Sequence, residues 1–456
     1  MMGKSPFLEY NECMKKFLAI LLCKILRIIG KLVGKGSSLP GKYALKVDPD
    51  ILSKVKLPEY VIAVTGSNGK TSTVEMIEKM LSDAGYSVAY NKEGSNQIEG
   101  VTTFLLENCD FSGKFLKDIV LIESDERYAR HTFRHFHPSH YIFTNLYRDQ
   151  LTRNGHPEWI FDILKDSIYD DSILILNADD PLVSSFGKDH PNKVYTFGID
   201  ELPEDTKENV SRYNDGLYCP VCGEKMVYDY IHFNHVGSYR CTHCGFQRGE
   251  PDYRITSVDL SEGKLVLDGK YTVDLALKSL YNAYNILSCY AIGRLMGIEG
   301  EKIVHSLNHY ILKNGRVVEF RIGDKKGTFL TSKHENSISY GQSLRVAAND
   351  PGDVTVYIMV DAISRKYFTS ETSWLWDIDF ELLQSRNIQK IVIGGRYVYD
   401  VAERLSYAGI DFSKVSLHED IQEAIDDLKE NAAGHIYAIT CFSDQDKLLN
   451  RVEVLS

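Results

Sequence analysis

The 456-residue sequence has no repeat period and no low-complexity tract, so neither a solenoid nor a disordered array has to be considered. Long apolar runs are missing too. The best of them, residues 17–23, stops at Lys24, with Arg27 and Lys31 close behind, whereas a bilayer span needs about 20 apolar residues. No small-residue cleavage site follows it, which argues against a secretory signal. Excess positive charge is absent: a net charge of −11 excludes a broad nucleic-acid face but leaves room for a local cationic phosphate pocket. None of the nine cysteines stands in a Gly-x-Cys-x-Gly turn that would present a glutaminase nucleophile, and Cys441, after a strand pattern, reads as buried. What remains is an ordinary globular composition, 43% hydrophobic and 25% charged, in a chain too long for one core.

The most informative stretch begins with Val61, Ile62, Ala63 and Val64, a buried-strand pattern. A glycine-rich turn follows, and then Val74, Ile77 and Leu81 recur at helical spacing. Strand, tight loop and helix together aim backbone N–H groups and the positive helix end at an anion. Gly66 and Gly69, with Asn68 between them, allow the backbone to approach a phosphate closely. Lys70 is placed to reach the β- and γ-phosphates of ATP, and Thr71, followed by Ser72, to give its hydroxyl to Mg2+. Two residues separate the glycines where the Walker pattern has four, so this is a shortened P-loop, and a turn that binds nothing is its plain alternative.

Residues 118–123 form a second strand pattern, ending in Glu123-Ser124-Asp125-Glu126. Ligands of α/β folds sit at the carboxyl ends of strands, so Glu123 is expected to hold the magnesium; a solvated acidic loop is the other reading. Strand patterns at 140–145 and 174–177 alternate with helices, which implies an α/β fold with a parallel sheet covered on both faces. His131, His135 and His137 read as surface histidines.

Cys219-x-x-Cys222 and Cys241-x-x-Cys244 stand eighteen residues apart, the spacing of a zinc ribbon. Gly223 and Gly245 follow the second cysteine of each pair. Four thiolates close a tetrahedron and leave no open position, so the expected Zn2+ is structural, with His232, His235 and His243 as spare donors; a redox role is the weaker alternative. An insert of this size, 215–250, has little core of its own, and metal binding supplies about 10–16 kcal/mol in comparable peptides.

At the amino-terminal end, residues 17–33 read as a helix with its cations on one side. It either packs on the domain behind it or rests as a basic amphipathic helix on an anionic membrane surface. Residues 37–41 (SSLPG) are expected to break that helix. Residues 280–296 read as a helix with Asn282 and Asn285 on one side. Beyond about residue 312 a smaller α/β domain is expected, with strands at 354–360, 390–393 and 435–440 and helices at 398–408 and 421–431. The layout is thus a leader over 1–50, a nucleotide-binding domain over 51–311 carrying the insert, and a carboxyl-terminal domain over 312–456.

Taken in order, Thr65-Gly66-Ser67-Asn68-Gly69-Lys70-Thr71, the Glu123 string, Thr144-Asn145 with Arg148-Asp149-Gln150, Asn177-Ala178-Asp179-Asp180-Pro181, Tyr281-Asn282-Ala283-Tyr284-Asn285 and Gly315-Arg316 resemble the Mur ligase family. The four-cysteine insert and the Leu39-Pro40-Gly41 leader make the chain most similar to MurT-type members. The resemblance implies an ATP-dependent carbon–nitrogen ligase of the cytoplasm, working at the inner face of the membrane. Its substrate would be the D-glutamate α-carboxylate of the lipid II stem peptide, activated as an acyl phosphate. Ammonia would come from a GatD-type glutaminase partner in a heterodimer. Asn282 and Asn285 would contact adenine and Arg316 the nucleotide phosphates. Gln150 stands where other family members place a histidine for a second metal. Residues 333–341 and 368–371 depart from the MurT-type pattern. The resemblance assigns to the latter region the aspartate that completes the partner's catalytic triad, for which Glu371 and Asp361 are the candidates here. A ligase joining a free amino acid to another carboxylate, or a non-catalytic nucleotide-binding homologue, would share most of these residues.

Overall fold

The computed structural model describes residues 6–32, 37–92, 96–209, 211–311, 317–333, 335–362 and 372–455. Arg316 and Glu371 lie outside them. The chain divides into two compact units, Met1–Leu146 with Glu158–Asn209 and Asn214–Ile311, and Tyr147–Pro157 with Val210–Tyr213 and Leu312–Ser456.

The first unit starts with α1 (Pro6–Leu32) and α2 (Leu39–Val47), followed by β1 (Tyr60–Thr65), α3 (Lys70–Asp83), β2 (Val88–Tyr90), α4 (Ile98–Glu107), β3 (Ile119–Glu123), α5 (Ala129–Phe133) and β4 (His140–Phe143). The helices α6 (Leu151–Asn154) and α7 (Pro157–Lys165) intervene before β5 (Ile173–Asn177), α8 (Pro181–Asp189) and β6 (Val194–Ile199). A hairpin, β7 (Met226–Phe233) and β8 (Val236–Cys241), precedes β9 (Tyr253–Asp259), β10 (Lys264–Leu267), β11 (Tyr271–Asp274), α9 (Leu280–Leu295) and α10 (Gly300–Asn308). The nine-stranded sheet runs β11-β10-β9-β6-β5-β4-β1-β3-β2, parallel from β2 through β9 and antiparallel over its last two pairings. Its central strands read as unbroken apolar runs because both faces are covered. β1 has β3 on one side and β4 on the other. The strand order reverses there, and such a switch point opens a crevice at the carboxyl ends.

The amino-terminal helices are continuous with this unit. Ala19, Ile20 and Cys23 of α1 and Ala44 of α2 share one core with Val61, Val120 and Leu105. α1 ends at Leu32, ahead of the SSLPG segment, and the last three residues of that segment open a separate helix, α2. Pro40 stands in the first turn of α2, where the missing N–H costs no hydrogen bond.

The second unit holds β12 (Val317–Ile322), β13 (Lys325–Ser332), α11 (Ser337–Ala348), β14 (Val354–Met359), β15 (Ile388–Gly394), α12 (Val398–Tyr407), β16 (Val415–His418), α13 (Ile421–Asn431), β17 (His435–Cys441), α14 (Gln445–Leu449) and β18 (Glu453–Val454). They form a seven-stranded sheet, β16-β15-β14-β17-β13-β12-β18, with separate apolar clusters around Ile358 and around Tyr357.

Candidate active site

The shortened loop between β1 and α3 is held by the strand next to it. Ser67 donates its N–H to the Asn145 carbonyl (2.9 Å), and Asn68 donates to Asn145 Oδ1 (2.8 Å). Asn145 Nδ2 and Thr144 Oγ1 both donate to the Asn68 carbonyl, at 3.1 and 2.9 Å. The glycines are required by space as well as by conformation. At Gly66, φ +133°, a Cβ would fall 2.2 Å from Thr144 Oγ1; at Gly69, φ +85°, it would fall 2.1 Å from Asn285 Oδ1. Gly69 is the residue before the first turn of α3, so the loop ends at a helix N-terminus of fourteen residues.

Lys70 is buried, and its Nζ donates to the Gly66 carbonyl and to Glu126 Oε1. Thr71 and Ser72 are half-buried on the first turn of α3. Glu123, Asp125 and Glu126 are all buried at the carboxyl end of β3. Glu123 is fixed by its backbone: its N–H donates to Asn91 Oδ1 (2.8 Å) and its carbonyl accepts from Asn91 Nδ2 (2.9 Å). The acidic string is therefore not a solvated loop, and the carboxylate nearest the lysine is Glu126, three residues beyond the one the strand pattern singles out. Asn91 had no motif to announce it. It also lines a cavity of about 270 Å3 with Arg27, Tyr90, Lys92, Thr103 and Asn108, next to the Glu123 strand end.

Asn282 and Asn285 lie on the buried side of α9. Asn285 Oδ1 accepts from Thr73 Oγ1 (3.3 Å) against the phosphate loop, while the buried Asn282 Nδ2 has no hydrogen-bond partner among the described residues. A loop whose Cβ positions are filled by its neighbours, a buried lysine, carboxylates at the strand end and an orphaned buried amide fit a nucleoside triphosphate with its divalent cation.

In the insert, the four sulfurs of Cys219, Cys222, Cys241 and Cys244 lie within 4.8 Å of one another and are not disulfide-bonded. Gly223 (φ +78°) and Gly245 (φ +74°) turn their N–H groups back to the Cys219 and Cys241 carbonyls. The backbone N–H of Cys244, with that of His243, holds the Cys241 thiol down to about 6. This donor set fits a tetrahedral, thiophilic cation. A small core of Met226, Tyr239 and Phe246 packs beside it.

His232 and His235 are not spare ligands. His232 Nδ1 pairs with Asp205 Oδ1 at 2.8 Å, and His235 Nε2 lies 3.8 Å from Asp180 Oδ2. Burial lowers the His235 imidazole, but hydrogen bonding and charge from Asp180 outweigh it and leave its pKa above the ordinary value. Asp179 accepts from Arg248 Nε (2.6 Å) and Tyr284 Oη (2.7 Å), and Gly237 of the hairpin donates to its carbonyl at 2.9 Å. Asp180 caps α8 through Leu182 and Val183, and its other oxygen accepts from Leu146 N at 2.8 Å. The insert thus leans on the Asp179–Asp180 elbow, and the elbow holds the segment that shapes the phosphate loop.

In the second unit, Asn336 Nδ2 donates to Asp149 Oδ1 (2.7 Å), Gln150 N–H to the Glu335 carbonyl (3.0 Å), and Lys333 Nζ lies 3.7 Å from Asp149 Oδ2. The stretch that departs from the MurT-type pattern therefore gathers around the Arg148-Asp149-Gln150 motif. Asp361 follows β14 and is ion-paired with Lys447. Partial burial opposes its charge, yet Lys447 and the Arg396 N–H keep it below the usual carboxylate range. Cys441 is buried, and burial beside Asp444 pushes its thiol up to about 12, the opposite of an activated nucleophile.

Two family descriptions match the chain: the Mur ligase middle domain over residues 64–293 and the MurT ligase C-terminal domain over residues 334–444. Among its relatives is the MurT subunit of lipid II isoglutaminyl synthase (glutamine-hydrolyzing) from Staphylococcus aureus, 32% identical over 416 residues, covering 90% of this chain and 92% of that protein. The subunit of the same description from Streptococcus pneumoniae is 30% identical over 438 residues, 94% of this chain and 95% of that one. A solved pseudomurein peptide ligase type C from Methanothermus fervidus shares the fold, with a TM-score of 0.67 at 21% identity over 87% of this chain and 79% of the other. Motif order, site geometry and these matches agree: the chain belongs to the Mur ligase family, among its MurT-type members, and is an ATP-dependent ligase.

Proposed function

We propose that the chain amidates the α-carboxylate of D-glutamate in the stem peptide of a lipid II-like precursor, using ammonia from a separate GatD-type glutaminase. The reading rests above all on the two MurT subunits, each about as long as this chain and 30% or more identical over nine-tenths of it. The buried, acid-flanked Cys441 supports an external nitrogen source, because a glutaminase needs an exposed thiolate.

A carboxylate oxygen attacks the γ-phosphorus of ATP, the bond to the β-phosphate oxygen breaks, and ADP leaves. Ammonia then attacks the acyl carbon, loses a proton, and inorganic phosphate departs with its bonding pair. Positioning and electrostatics supply most of the rate in phosphoryl transfer. The loop N–H groups and the α3 N-terminus hold the phosphates. Lys70 exchanges Glu126 for the β/γ oxygens and screens the charge that spreads over them. Thr71, with Glu123 or Glu126, would hold magnesium, which supplies charge neutralisation when bound. Asn282 offers its free amide to the base, and Arg316 is assigned to the phosphates. The Asn91 cavity beside Glu123 gives the acceptor carboxylate an approach. The four cysteines would hold zinc in a structural role. Asp361 is a poor candidate for a partner's triad because Lys447 already claims it, which leaves Glu371.

The test is ATP turnover with the lipid-linked acceptor, supplied in turn with glutamine plus a GatD-type subunit, with ammonium, and with free amino acids, and mass spectrometry of the stem peptide. Amidation with ammonium alone and with glutamine only when the partner is present is the expected result. Turnover with an amino acid and neither nitrogen source would replace the reading with that of a peptide-forming ligase.

A further inference from the structure

Helix α1 has apolar residues on two faces, and only one is covered. Ala19, Ile20 and Cys23 point into the core of the first unit. On the other side Met14, Leu18, Leu21, Ile25, Ile28 and Leu32 recur at alternating steps of four and three residues, which keeps them on one stripe along the helix. Leu21 is half-buried and the rest are exposed, Ile28 at 64% and Leu32 at 82%. Ile29 widens the stripe, and exposed Phe17 packs at a tilt against exposed Phe111, 5.5 Å between ring centroids. Contiguous apolar strips of this kind are rarely left bare on a protein that works alone in water.

Charge says what covers it. Lys15, Lys24 and Lys31 sit along the edges of the stripe, each adjacent in sequence to one of its residues. Between residues 10 and 47 the sequence has eight Lys or Arg against one carboxylate, Glu12, in a chain whose net charge is −11. From outside the helix, Glu107 takes Arg27 (2.9 Å) and Lys31. A second copy of α1 would set lysine against lysine at the edges where helix pairs rely on opposite charges. An anionic lipid surface satisfies both features, because acyl chains take the apolar face and headgroups the cations. Among the described residues no helix is long and apolar enough to cross a membrane, so α1 would lie on the surface.

We propose that α1 is a lipid-docking helix whose Leu18–Ile25–Ile28–Leu32 face rests in the headgroup layer of an anionic bilayer. The surface serves any substrate held at a bilayer and does not depend on which carboxylate is amidated.

The experiment is flotation of the full-length protein with vesicles of phosphatidylglycerol and phosphatidylcholine in equal parts, against vesicles of phosphatidylcholine alone, for the wild type and for Ile25→Glu/Ile28→Glu. Both substituted positions are exposed and away from the phosphate loop, so ATP affinity of the variant serves as the folding control. The expected result is binding to the anionic vesicles that weakens with salt and falls at least about tenfold on neutral vesicles and in the variant. Wild-type protein that stays off anionic vesicles, or a variant that binds them equally well, overturns the proposal. Self-association abolished by the double substitution, without vesicle binding, also overturns it and gives the stripe to a second copy.

Discussion

At Gly66 a single methyl group decides whether the loop can exist. With φ at +133° and Thr144 Oγ1 2.2 Å from the Cβ position, Gly66→Ala cannot be accommodated by a flexible side chain, since the Asn145 backbone stands behind it. Isothermal titration of this variant with an ATP analogue and magnesium should show affinity lowered by at least about tenfold while far-UV dichroism is unchanged. Lys70 permits a sharper test because it is both ligand and counter-ion. Lys70→Ala should lower turnover by about a hundredfold or more. It also removes the ion pair that buried Glu126 makes with Lys70, a loss of about 3–5 kcal/mol in stability that adding Glu126→Gln should largely restore without restoring turnover. Urea unfolding of the two single variants and the double one measures this, and simple additivity would deny the pair its weight. The glycines and the lysine are legible in sequence because their chemistry is local. Glu126 is not: four consecutive residues, Glu123 to Glu126, could each face the loop, and only the turn after β3 selects which one reaches the lysine.

At the scale of elements, the insert is tied to the nucleotide site through carboxylates. If the insert holds the proposed zinc, treating the protein with a chelator, or substituting Cys219→Ser, should lower bound zinc and the melting temperature together. It should also weaken ATP binding, because Gly237, Arg248 and His235 release the Asp179–Asp180 elbow that fixes Leu146. Metal loss with unchanged ATP affinity would uncouple the insert from the site. His235 gives this coupling a pH signature. Its pKa is raised in the folded protein above 6.5, so the stability it contributes is fully present below 6.5 and disappears as pH rises through the folded value. The difference in melting temperature between wild type and His235→Gln should therefore be largest in mildly acid buffer and shrink in alkaline buffer; a constant difference would mean that the ring acts by packing alone. The Cys-x-x-Cys pairs announced the insert, since ligand spacing is a sequence property. The Asp179-Asp180-Pro181 motif stood out in sequence, but the insert's hold on it did not, because Asp180 and His235 are joined only by the fold. The break after α1 was legible in SSLPG, but not that Pro40 opens a second helix, because composition cannot tell a proline that follows a helix from one in a first turn.

For the molecule as a whole, the parallel α/β character was readable from alternating apolar strands and helices, and strands β1, β3, β4 and β5 fall where those runs lie. The antiparallel end of β9, β10 and β11 was not, since β10 and β11 are only four residues long and the edge strand β11, Tyr-Thr-Val-Asp, buries Val273 alone. Segments 147–157 and 210–213 belong with the carboxyl-terminal unit although they lie inside the amino-terminal stretch of sequence, a partition that no local pattern encodes. Each unit has its own apolar core, one around Val61 and Val120, the others around Ile358 and Tyr357. Separate cores favour separate cooperative transitions, so calorimetry should resolve two. The phosphate loop, Lys70 and Asn282 all belong to the first unit. A non-hydrolysable ATP analogue with magnesium, present at a hundredfold excess over its dissociation constant, should stabilise that unit by about 2.7 kcal/mol and move its transition upward. The shift should vanish in Lys70→Ala, which keeps both cores but loses the phosphate contact. A transition that moves equally in wild type and variant would place the nucleotide elsewhere than the loop between β1 and α3.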